Sequence, residues 1–93
     1  MRIIGYIEHP HLKVTVFKMD NKLSVKFESG LYEQTYKFRM TEQLETLEDV
    51  KKLVDMPFLL AVEEELQRMH RVRNAALSRK IKTSETNEFP TII

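Results

Sequence analysis

The chain has 93 residues, no cysteine, two glycines and a formal net charge of +1, a length that suits one small domain able to bury a modest core without staples. The lack of cysteine excludes disulfides, thiolate metal sites and cysteine nucleophiles, and two glycines are too few for the phosphate-cradling loops of dinucleotide or nucleoside-triphosphate enzymes. No apolar run approaches the roughly 18 to 20 residues that cross a bilayer, and the N-terminus lacks the pattern of a secretion signal, so no membrane association and a cytoplasmic location are the expectation.

The first forty residues alternate apolar and polar side chains at period two, with turn residues at short intervals, which is the signature of antiparallel strands joined by hairpins. Asp20-Asn21 separates the runs 12–19 and 22–28, and a two-residue loop of that composition suits the positive φ values of a type I′ turn. The register follows: Val16 faces Val25, Val14 faces Phe27, and Lys13 faces Glu28 on the opposite side. A second turn at Ser29-Gly30 sets Tyr32 across from Phe27, Tyr36 across from Leu23 and Glu33 across from Lys26. Upstream, a turn at His9-Pro10 lays Ile3, Gly5 and Ile7 against Val16, Val14 and Leu12. The core face is then Ile3, Ile7, Leu12, Val14, Val16, Leu23, Val25, Phe27, Tyr32, Tyr36 and Phe38, with Gly5 leaving room for a helix to approach.

Helix signals begin after Met40. Thr46 with Asp49 three residues later forms a capping-box pattern ahead of Val50, Leu53 and Val54, which predicts a short helix. Asp55 before Pro57 restarts the pattern, since Asp is a good N-cap and Pro is tolerated only in the first turn. The second helix should run to about residue 81. Its positions Phe58, Leu59, Val62, Leu66, Met69, Val72, Ala76 and Leu77 recur at steps of three and four and make one apolar stripe, the natural lid for the sheet. Such a helix outruns strands of about eight residues, and Arg73 and Lys80 enter the arc that Val62 and Leu66 occupy earlier, so its last turns should overhang. From Thr83 the composition becomes polar, ending in the apolar residues Phe89 to Ile93.

Charge is segregated along the chain. Residues 41–66 carry two Lys/Arg against eight Asp/Glu, whereas residues 67–82 carry six basic groups and no acidic one. An acidic middle therefore precedes a basic helix end. On a helical wheel Arg68, Arg71, Arg79 and Lys82 fall within roughly 80° of one another at about 100° per residue, where they could follow a phosphate backbone. Cations at a helix C-terminus are also favoured by the macrodipole and keep an overhang soluble, and the strands carry no RNA-binding aromatic motif.

Catalytic and metal chemistry find little support. Glu8-His9-Pro10-His11 is the one cluster of metal-ligand residue types, but Pro10 interrupts the extended spacing and no third ligand is at hand; His70 lies far along the second helix. The serines sit in no nucleophile elbow. Glu63-Glu64-Glu65 diverge around a helix and read as a solvated face, with Glu64 pairing Arg68. No cofactor and no metal site are expected. The far face of the sheet would carry Ile4, Tyr6, Phe17 and Leu31, an apolar group that one helix pair on the other side leaves uncovered.

Together these features predict an α+β fold: a four-stranded antiparallel β-meander packed on one face by a short helix and a long C-terminal amphipathic helix. Strands occupy about residues 2–39 and helices about 46–81, with a single domain at 1–82 and a C-terminal tail at 83–93. The functional expectation is a non-catalytic protein-interaction module that self-associates as a homodimer, using Ile4, Tyr6, Phe17, Leu31, Phe89, Ile92 and Ile93 or the helix overhang. The alternatives are a nucleic-acid-associated accessory protein using Arg68, Arg71, Arg79 and Lys82, and a small enzyme or metal-binding protein built on the histidines.

Overall fold

Four short amphipathic strands followed by two helices give an open sheet with one covered face. A computed structural model describes residues 1–87, with side chains as far as Ile81. Strands β1 (Arg2–Ile7), β2 (Lys13–Met19), β3 (Lys22–Ser29) and β4 (Tyr32–Arg39) make one antiparallel sheet in the order β1-β2-β3-β4, and α1 (Leu47–Leu53) and α2 (Met56–Asn87) follow. The fold is α+β, as the alternation of the strands and the periodicity of the helices require.

The central hairpin has the register that side-chain pairing dictates: Val16 opposite Val25, Val14 opposite Phe27 and Lys13 opposite Glu28. Its turn differs in detail. Asp20 (φ 53) is the one non-glycine residue at positive φ among the described residues, whereas a type I′ turn would need Asn21 there as well. The next hairpin departs further. Its turn is Gly30-Leu31 rather than Ser29-Gly30, so Phe27 pairs with Gln34, Val25 with Tyr36 and Leu23 with Phe38. The pairing has slid by two residues, which keeps every side chain on its expected face because the strand period is two. Gly30 (φ 58) supplies the positive φ at the first central position.

At β1 the alternation itself is broken. A bulge between Ile3 and Gly5 leaves Ile3 opposite Phe17 and Gly5 opposite Val16, with Ile4 as the extra residue. Ile3, expected in the core, is therefore 49 % exposed on the far face, and Ile4, expected on the far face, packs against the core. A bulge adds one residue to one strand and shifts the phase of everything before it. No local composition marks this one.

The buried core is Leu12, Val14, Val16, Leu23, Val25 and Phe27 from the sheet with Val50, Val54 and Val62 from the helices. Phe27 stacks on Phe58 at 5.6 Å and meets Tyr36 edge-on at 5.9 Å, so an aromatic cluster joins β3, β4 and the first turn of α2. Gly5 lies under α1, where a Cβ would overlap the Leu47 side chain.

Both helix starts are capped as their sequences require. Thr46 Oγ1 accepts from the Asp49 N–H at 3.2 Å, and the Asp49 carboxylate accepts from the Thr46 and Glu45 N–H groups, each at 3.0 Å. Those backbone donors, Glu45 first and then Thr46, hold the Asp49 carboxyl below its ordinary value. Asp55 Oδ1 accepts from the Phe58 N–H at 3.1 Å, opening α2.

Helix α2 continues to Asn87, past the end expected near residue 81. Nothing between 70 and 87 is a glycine or proline that would stop it. Its 32 residues span about 48 Å, and the described part of the chain is drawn out to 63 × 26 × 16 Å. The stripe serves the sheet only as far as Leu66 and the half-buried Met69; every described residue from His70 onward is exposed.

Candidate interaction surface

The histidines do not converge. His9 Nδ1 accepts from the backbone N–H groups of His11 and Leu12, both at 3.1 Å, and its Nε2 lies 3.3 Å from Glu63 Oε1 on α2. A ring nitrogen that accepts two backbone donors carries no proton, so Nε2 holds it and donates to Glu63. His9 thus closes the β1–β2 turn and ties it to the helix. His11 stands exposed beside it, ring centroids 6.0 Å apart.

His70 is engaged at another place. Its Nδ1 is 2.8 Å from Tyr32 Oη at the start of β4, and its Nε2 is 2.9 Å from Asn74 Nδ2. With the Asn74 amide donating to Nε2, Nδ1 carries the proton and donates to the tyrosine oxygen. This clasp sits where α2 leaves the sheet. One further bond seats the helix on β4, Gln34 Nε2 donating to Val62 O at 2.9 Å, and the Tyr36 hydroxyl on the same strand orients that amide by donating to Gln34 Oε1. Among the described residues no three His, Cys, Asp or Glu side chains gather as a metal site would require. No described helix is long and apolar enough to cross a membrane.

The far face of the sheet is less apolar than its sequence suggests. Ile3 and Phe17 are direct cross-strand partners and Tyr6 stands opposite Thr15, which gives a small apolar group on β1 and β2. Leu31 is apart from it, exposed in the β3–β4 turn. The remainder is polar and covered by its own long side chains. Lys26 reaches Glu28 at 3.9 Å and Glu33 at 3.7 Å, which offsets the repulsion of two glutamates placed directly opposite each other. Thr15 and Ser24 are buried on this side. An open groove of ≈ 560 Å³ lies beside the first turn, lined by Tyr6, Glu8, Pro10 and Lys13 among others.

The overhang of α2 presents a second exposed surface. Val72 is 65 %, Leu77 43 % and Ile81 58 % exposed on a helix whose preceding turns close the core, and at about 100° per residue Val72 and Ile81 stand on opposite sides of it. Arg68, Arg71 and Arg79 are exposed along this stretch, and Arg68 pairs with Glu65 at 3.6 Å rather than with Glu64. The Lys82 side chain lies outside the described part, as do Phe89, Ile92 and Ile93. Where the helix parts from the sheet, Tyr32, Glu65, Arg68, Met69, Val72 and Arg73 line a hollow of ≈ 320 Å³. The apolar stripe flags this surface in sequence; the hollow depends on Tyr32 arriving from β4 and could not be read there. No protein-family model, curated protein or solved structure matches this chain.

Proposed function

We propose that this chain is a non-catalytic protein-interaction module that forms a homodimer through the part of α2 beyond the sheet. The observation that carries this reading is the exposure of Val72, Leu77 and Ile81 on a helix that has already closed its own core. Apolar side chains exposed on an ordered helix gain free energy when another surface covers them. The chain's own charge segregation supports a second copy as the occupant, because the basic stretch 67–82 is matched by the acidic stretch 41–66. Both well-formed histidine arrangements tie α2 to the sheet, which fits a structural use better than a reactive one. Light scattering across a hundredfold dilution tests the proposal. A mass that falls from dimer to monomer is expected, and a monomer throughout overturns it.

A second reading rests on the exposed arginines Arg68, Arg71 and Arg79, with Lys82 continuing their arc. In that case the helix end binds nucleic acid through phosphate contacts, and affinity falls steeply with salt. Arg71→Glu combined with Arg79→Glu should then abolish binding to a mixed nucleic-acid pool at low salt. Unchanged binding, or none by the unaltered chain, removes this reading.

A further inference from the structure

The face of α2 beside the hollow carries a pattern that specifies how two copies would meet. Taking Val62, which points into the core, as the origin and about 100° per residue, Ala61, Glu65, Arg68, Val72, Ala76 and Arg79 fall within roughly 80° of one another on one flank of the helix. Their spacing is symmetric about Val72: Arg68 and Ala76 lie four residues to either side, Glu65 and Arg79 seven residues to either side. The pairs are complementary under reversal of the chain. An acidic residue matches a basic one, a long side chain matches a methyl group, and an exposed valine matches itself.

Resting on the self-association proposed above, we infer that two copies pair through antiparallel α2 helices crossing at Val72, with Glu65 of each against the partner subunit's Arg79. The two valines meet on the twofold axis beside the hollows of ≈ 320 Å³ formed with Tyr32 and Met69. Ala76 leaves space for the stem of the partner's Arg68, whose guanidinium already stands 3.6 Å from Glu65. Each overhang then runs back along the first half of the other helix, so Glu65 faces the basic end of its partner. Parallel pairing would instead set Glu65 against Glu65 and Arg79 against Arg79, which like-charge repulsion opposes. The isologous contact closes on itself and leaves no free copy of the surface, so assembly stops at two.

A charge-swap series on the full chain tests this. The unaltered protein, Glu65→Arg, Arg79→Glu and the double variant are compared by sedimentation equilibrium at low salt, with circular dichroism confirming that each is folded. Each single reversal should raise the dimer Kd about tenfold or more, and the double variant should return to within about threefold of the original. Residues 65 and 79 are about 21 Å apart along one helix, so recovery cannot arise within a single chain. A double variant as weak as the singles, with the unaltered chain dimeric, overturns the antiparallel arrangement while self-association stands. A monomeric unaltered chain removes both.

Discussion

Helix α2 meets two environments along its length. Val62 is buried at 1 % exposure and its carbonyl accepts from Gln34, whereas Val72, ten residues on, is 65 % exposed and has no sheet beneath it. The two valines have the same helix propensity, and Val72 lies roughly 80° around the helix from Val62. What separates them is that rotation together with the reach of the sheet, whose strands of six to eight residues extend only about 20 to 27 Å. An apolar stripe in sequence therefore reports that a helix face seeks cover, without reporting which part of it finds cover within its own chain.

The sharpest way to break that comparison is the same substitution in both halves. Val62→Asp puts an unpaired carboxylate into the core and should cost more than about 4 kcal/mol in urea unfolding. Val72→Asp should change the stability of the diluted monomer by no more than about 0.5 kcal/mol while weakening the proposed dimer. Equal losses at the two sites would mean that the overhang is part of the folding core. A smaller effect is expected at the other helix. Gly5→Ala should cost about 1 to 3 kcal/mol by overpacking, because the new methyl group collides with Leu47, and Leu47→Ala in the same chain should recover part of that loss. If Gly5→Ala is neutral, the Leu47 side chain gives way to the methyl group and the close approach is no constraint on the fold.

The subtlest effect is on pH dependence at the α1 cap. Asp49 has a folded pKa lowered from the ordinary value of 3.8 by the Glu45 and Thr46 backbone donors. A depressed carboxylate contributes stability that is fully present above the unfolded value and is lost as pH falls through the folded one. Protection of the α1 amides against hydrogen exchange should decline in that acidic window, and Asp49→Asn should flatten the decline. An unchanged profile in Asp49→Asn would assign the acid sensitivity elsewhere.

The central hairpin was legible because apolar pairs and the Lys13–Glu28 pair select one register and the Asp20-Asn21 loop agrees with it. The β3–β4 hairpin was legible in its faces and ambiguous in its register, since Ser29-Gly30 and Gly30-Leu31 both permit a turn and differ by a slip of two. Lys26 shows how little that slip costs: it reaches Glu33 diagonally even though its direct partner is Thr35. The proposed interaction surface was legible as exposed apolar positions and a charge gradient. Its hollow was not, because Tyr32 and Met69 come from elements 37 residues apart.

By itself the sequence determined the α+β class, the faces of three strands and the caps of both helices, because period, turn composition and capping side chains act over a few residues. Tertiary structure alone decided the bulge that exchanged Ile3 for Ile4, the two-residue slip at β4, the engagement of His9 with Glu63 and of His70 with Tyr32, and the point at which α2 leaves the sheet. Each of these depends on where a distant segment comes to rest, which only the packed core fixes.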